Sequence, residues 1–106
     1  MAREQEPGGL DMLVLRLLSE REMYGFEIIA ELSKRSQAVF QLKEGTLYPL
    51  LRRLENEGAV TSRAEKADGR IRRYYQITKK GGSRLEERQK EWDRYSVAVN
   101  AVMTFA

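Results

Sequence analysis

Two places in this sequence carry hydroxyls and arginines at spacings suited to binding chemistry. Thr46, Tyr48 and Arg52 lie within Gly45-Thr46-Leu47-Tyr48-Pro49-Leu50-Leu51-Arg52-Arg53-Leu54-Glu55-Asn56-Glu57-Gly58, with Lys43 just ahead of it. Arg70, Arg72 and Arg73 follow directly on Asp68-Gly69. Hydroxyls, ammonium groups and guanidinium forks are the donors that hold phosphates and read base edges. Catalysis is a poor fit. The chain has no histidine and no cysteine, which removes imidazole and thiolate chemistry and the metal sites built on them. It also lacks a Gly-rich phosphate loop and a carboxylate pair set apart from surface helices. No catalytic residue, metal ligand or cofactor is expected.

The elements that must position these donors can be read from periodicity. Leu47, Leu50, Leu51 and Leu54 recur at i, i+3, i+4 and i+7, so one face of a helix enters a core and Tyr48, Arg52 and Arg53 are left on others. Thr46 is the expected N-cap, Pro49 falls in the first turn, and Gly58 stands where a left-handed C-terminal residue is wanted. Arg52 is i+4 from Tyr48 and shares its side. Arg53 is i+4 from Glu57, an ion-pair spacing, and is left out of the site. Asp68-Gly69 between two short runs rich in β-branched and aromatic residues, 59–65 and 72–78, signals a hairpin tip. In the second run Tyr75 and Ile77 share the core face.

Upstream, residues 1–9 read as a frayed arm, polar and ending in Pro7-Gly8-Gly9. A helix is expected over 10–20, apolar around most of its circumference and so buried on more than one side. A polar break at 19–23 precedes a second helix over 25–36, with Phe26, Ile28, Ile29 and Leu32 as its apolar stripe. The loop 37–44 tucks Val39, Phe40 and Leu42 against the core. Downstream, a last helix over 83–104 carries Leu85, Trp92, Tyr95, Val99 and Val102 as a heptad-like seam interrupted by Arg88. A seam without an intramolecular partner suggests self-association.

Charge supports this division. The net charge is only +3, but residues 43–80 carry ten Lys/Arg against five Asp/Glu, whereas 1–42 carry five against seven and 81–106 four against four. The whole positive excess sits where the binding residues are, which points to a polyanionic partner. The absence of cysteine fits a reducing cytoplasm, and no run approaches the apolar length of a membrane span.

The order helix, helix, helix, strand, tip, strand, helix is an α+β winged helix-turn-helix with an added C-terminal helix. Three motifs resemble the PadR family of bacterial transcriptional regulators: Tyr24-Gly25-Phe26-Glu27-Ile28, the Gly45–Gly58 helix, and Arg73-Tyr74-Tyr75-Gln76-Ile77-Thr78-Lys79-Lys80-Gly81. The match covers residues 10–82 in the family's order and spacing, and the single short helix after it resembles the small subclass. The resemblance implies three regions: an arm at 1–9, a winged-helix DNA-binding domain at 10–82, and a dimerisation helix at 83–106.

It further implies a homodimer that represses a nearby promoter through a pseudo-palindromic operator, with double-stranded DNA as partner. Tyr24, Lys43, Thr46, Tyr48, Arg52, Arg70, Arg72 and Arg73 are the expected DNA contacts. Leu10, Leu85, Trp92, Tyr95, Val99 and Val102 are the expected dimer interface. A flat aromatic small molecule sandwiched at Trp92, with Leu10, Val14 and Val99 lining the space, is the effector site the resemblance suggests. Each expectation has a plainer alternative. Tyr24 and Tyr48 can be packing residues, the arginines a solvated surface, and Trp92 simple dimer packing. The rival function is a winged-helix protein–protein module that never touches DNA, which would have no use for three arginines on the wing.

Overall fold

The computed structural model describes residues 9–105. The arm expected at 1–9 lies, Gly9 apart, outside the described residues. The elements run α1 (Leu10–Leu18), β1 (Met23–Tyr24), α2 (Gly25–Arg35), α3 (Glu44–Asn56), β2 (Val60–Ala67), β3 (Arg70–Ile77) and α4 (Lys79–Thr104). This is the expected winged helix-turn-helix with a long C-terminal helix, plus one short strand.

α1 is the centre of the packing because its sequence is apolar on nearly every side. Val14, Leu15, Leu17 and Leu18 are all buried, against α2, α4 and β3. The chain's own elements therefore cover most of this helix, leaving only Leu10, Met12 and Leu13 partly buried at the core's edge. From α2, Ile28 and Leu32 join the core at i, i+4 spacing. Phe26 does not. It is 55% exposed, because it lies two residues from Ile28 and so points roughly 160° away from it around a helix of 3.6 residues per turn.

α3 buries the four expected leucines, Leu47, Leu50, Leu51 and Leu54. It starts earlier than its composition suggested: Lys43 is the N-cap and Thr46 lies inside the first turn, with both Thr46 and Leu47 donating to the Lys43 carbonyl. Pro49 is thus in the second turn. The carbonyl it cannot serve belongs to Gly45, which is exposed to water, so the cost of an interior proline is softened.

α2 and α3 end by the same hydrogen-bond pattern but with different residues. After α3, Ala59 N–H donates to Leu54 O at 2.8 Å and Gly58 N–H to Glu55 O at 3.0 Å, with Gly58 at φ 80°. After α2, Ala38 N–H donates to Ser33 O at 2.7 Å and Gln37 N–H to Lys34 O at 3.3 Å. Here Gln37 and Ala38 hold φ of 53° and 68° without being glycine. Left-handed backbone costs an L-residue on the order of 1 kcal/mol, so Gln37→Gly is expected to stabilise the domain by about 0.5–1 kcal/mol, read as a higher urea midpoint at unchanged slope. In the turn that follows, Phe40 and Leu42 pack on the core as expected. Val39 is 75% exposed instead, since the left-handed pair swings the chain outward before it returns.

The three strands form one antiparallel sheet in the order β1-β3-β2. β2 and β3 pair in register from Val60↔Ile77 to Ala67↔Arg70, around Asp68 and Gly69, both at positive φ, as a two-residue hairpin requires. β1 pairs with the other edge of β3 through Met23↔Tyr75 and Tyr24↔Tyr74. Met23, Val60 and Tyr75 are buried on the core face, with Ile77 packed beside them.

α4 begins at Lys79, four residues before the expected Ser83, and runs through Gly81-Gly82 without a break. Thr78 caps it, accepting from Gly81 N–H at 3.0 Å and donating to Gly58 O at 2.6 Å. The helix is buried in the chain only at Gly81 and Leu85. Among the described residues no helix is long and apolar enough to cross a membrane.

Candidate nucleic-acid interface

α3 presents Arg52 to solvent on the side away from its leucines, with Lys43 exposed at its start. Thr46 is exposed too, but one turn before Leu50 on another flank, beside Leu10, Pro49 and Arg53. Tyr48 is different. It is only partly exposed, packed against the core, and its hydroxyl lies against the backbone of Gly25 at the start of α2. A Cβ at residue 25 would overlap that hydroxyl and stand 2.7 Å from the ring Cζ. Burial first, and the Glu44 carboxylate second, push the Tyr48 phenol above its ordinary range, so it is a neutral donor at physiological pH. Tyr48 therefore joins α2 to α3 as well as facing the cleft beside them. Gly25→Ala is expected to cost about 1–3 kcal/mol by overpacking this joint. In a Tyr48→Ala background the same change should cost almost nothing, so equal losses in both backgrounds, measured by denaturant unfolding, would refute the contact.

The wing arginines border one cleft but engage different partners, because successive residues of β3 point to opposite faces. Arg70, Arg72 and Tyr74 share the outer face, where β1 brings Tyr24. The Tyr24 and Tyr74 rings meet edge to face at 5.4 Å. The Arg72 guanidinium lies 4.5 Å over the Tyr24 ring, and Arg63 from β2 lies 5.0 Å over Tyr74. Arg63 is in turn ion-paired to Glu22 and Glu65. A hydrogen bond with Tyr74 holds Arg72 protonated beyond even the ordinary arginine range. Stacking on Tyr24 orients the Arg72 fork while its charge stays available to a ligand.

Arg73 points to the other face, towards α3. It donates to Ser62 Oγ at 3.1 Å, and Ser62 donates to Glu55 at 2.8 Å. Its charge is partly answered within the chain. Burial pushes the Tyr75 phenol up, while Arg73 and Arg52 each act on it electrostatically in the opposite sense. Arg53 pairs with Glu57 at 4.0 Å, as its spacing suggested.

Between the wing and the start of α2 lies a cleft of about 180 Å³ lined by Tyr24, Phe26, Tyr48, Ile71 and the three wing arginines. The structure thus brings Tyr24, Tyr48, Arg70, Arg72 and Arg73 to one cleft, with Arg52 exposed on α3 one turn after Tyr48. Lys43 stands at the start of α3, and Thr46 borders a separate hollow with Leu10, Pro49, Leu50 and Arg53. Phe26 and Ile71, 55% and 75% exposed, were missed as surface residues. For Phe26 the signal was its misfit to the Ile28–Leu32 period; for Ile71 it was its place next to a hairpin tip.

The residues expected at a dimer or effector site divide. Trp92, Tyr95, Val99 and Val102 are exposed on α4, with the Trp92 and Tyr95 rings 5.9 Å apart, and Leu10 is partly buried. Two assignments are corrected. Leu85 belongs to the chain's own core, 8% exposed, and is not open to a second subunit. Val14 is fully buried and cannot line a ligand space without opening that core. Both fall on helix faces that the winged domain itself covers. Arg88, which interrupted the seam, is mostly buried and donates to Asp11 at 2.8 Å.

Comparison with known proteins agrees with this fold. Residues 14–87 match the model of the transcriptional regulator PadR-like family. An uncharacterised protein of Lysinibacillus sphaericus is 39% identical over 91% of this chain and 89% of its own length. A transcriptional regulator of Mycobacterium tuberculosis is 34% identical over 80% of this chain and 77% of its own. The crystal structure of a PadR family transcriptional regulator from Eggerthella lenta superposes with a TM-score of 0.83 at 31% identity, covering 93% of this chain and 85% of that one. The chain belongs to the PadR-like family of transcriptional regulators.

Proposed function

We propose that this regulator binds double-stranded DNA as a homodimer on a two-fold-related site and represses transcription there. The observation that carries the reading is the cleft beside α3 lined by Tyr24, Tyr48, Arg70, Arg72 and Arg73, in which Arg72 is oriented over Tyr24. In the proposed complex the exposed side of α3 enters the major groove, Arg52 and Thr46 reach base edges, and Arg70 and Arg72 hold phosphates beside it. Tyr24, Tyr48, Lys43 and Arg73 border that contact. Such a protein works in the bacterial cytoplasm, beside the chromosome.

The homodimer is supported by α4. Trp92, Tyr95, Val99 and Val102 make an apolar stripe left exposed among the described residues, and a helical extension of this length is marginal alone in water. The Trp92–Tyr95 pair is also the surface on which a flat aromatic effector would stack, with Val99 one turn further along α4. Release of DNA by such a compound is the regulatory half of the proposal.

Selection of bound duplexes from a random pool, with and without an aromatic cation such as a planar dye, tests both halves. An inverted repeat among the selected duplexes supports the DNA reading, and lower retention with the dye supports the effector. Failure to enrich any duplex sinks the proposal in favour of a protein–protein module.

A further inference from the structure

α4 carries two arginines one turn apart, and each grips a different element of the winged domain. Arg84 donates to Glu57 Oε1 at 2.6 Å, and Glu57 is the residue that closes α3. Arg88 donates to Asp11 Oδ1 at 2.8 Å, in the first turn of α1. Asp11 is only 7% exposed, and the same oxygen accepts the Met12 N–H. Between the two arginines Leu85 is sunk in the core. A single contact would let a helix pivot. Two on one side of a buried leucine fix its direction.

Past Arg88 the helix continues to Thr104 with none of its described residues buried in the chain. Those sixteen residues make an arm of about 24 Å. A tilt of about 10° at its base moves the far end by about 4 Å, more than the ~3.4 Å between base pairs. Small errors of angle are therefore large on the scale of an operator.

We infer that Arg84 and Arg88 are positioning residues: they set the angle at which α4 leaves the winged domain, and through it the distance between the two α3 helices of a dimer. The inference rests on the homodimer reading above. Because Glu57 ends α3, a displacement of α4 is also passed directly to the recognition helix. The chemistry fits the task. Arg88 and Asp11 form a mostly buried pair, which a shifted helix would leave broken at high cost, so the favoured angle is narrow.

The test uses duplexes carrying two copies of the selected half-site at spacings varied one base pair at a time, and a duplex with one copy. Wild type should prefer one spacing by tenfold or more. Arg84→Met should reduce that preference at least fivefold while single-copy affinity stays within twofold, and the swap Glu57→Arg with Arg84→Glu should restore it. The neutral pair Asp11→Asn with Arg88→Met, which leaves no lone buried charge, should broaden the preference likewise; if it does not fold, the Arg84 arm decides. An unchanged spacing profile overturns the inference, as does an equal loss on single and paired sites. A wild type without any spacing preference refutes the homodimer reading first.

Discussion

Gly81→Ala will destabilise the protein by about 3 kcal/mol or more, the upper range for forcing an extra methyl into a packed site. For a domain near 100 residues that lowers the thermal midpoint by roughly 12–24 °C. The reason is a backbone contact. A Cβ at residue 81 would overlap the carbonyl oxygen of Ala59 and stand 2.8 Å from Ile77 Cγ1. The Ala59 carbonyl cannot turn away, because it accepts the Thr78 N–H at 3.0 Å, the bond that seats the cap of α4. Ala59 itself closes α3 through its bond to Leu54. One methyl group thus strains the end of α3, the start of β2 and the base of α4 together. The neighbouring Gly82→Ala supplies the contrast. Among the described residues nothing lies within 4 Å of a Cβ there, the residue is inside α4, and the change should stabilise by about 0.5–1 kcal/mol through helix propensity. Thermal unfolding of the two variants should therefore shift in opposite directions, and a shared direction would refute the contact.

What the sequence could reveal of this arrangement was whatever rests on local signals. The leucine face of α3, the Asp68-Gly69 tip, the core side of Tyr75 and Ile77, and Gly58 as helix terminator all follow from spacing or from a residue's own backbone freedom. The rest depends on partners far along the chain. β1 is two residues long and exists only because Tyr74 and Tyr75 arrive fifty residues later to pair with it. Gly81 looks like a helix breaker until the Ala59 carbonyl is seen beneath it. Arg88 looks like a flaw in an apolar seam until Asp11, seventy-seven residues away, is placed against it. The candidate site divides in the same way. The arginines were visible as a group, but strand alternation separates Arg72 from Arg73. That Arg72 is stacked on Tyr24 whereas Arg73 is engaged with Ser62 is a tertiary fact.

That separation yields the largest expected effect on function. Replacing Arg70 and Arg72 together by alanine should weaken binding to every duplex on the order of 60-fold at ~0.1 M salt, because each phosphate contact releases counterions worth a factor of about 8 there. The slope of log affinity against log salt should fall by about 1.8, and sequence preference should survive. Arg52→Ala should behave oppositely: a roughly 5- to 150-fold loss confined to duplexes carrying the preferred base pair, with the discrimination relaxed at that position. Arg73→Ala should cost less than Arg72→Ala alone, since Arg73 is turned to the Ser62–Glu55 pair while Arg72 is pre-oriented over the Tyr24 ring. Affinities measured across a salt series on selected and scrambled duplexes separate these cases. If the double wing variant changes neither affinity nor slope, the wing does not hold phosphates. The arginine-lined cleft would then have to serve a protein partner, and α3 would lose its claim to the major groove unless Arg52→Ala still altered base preference.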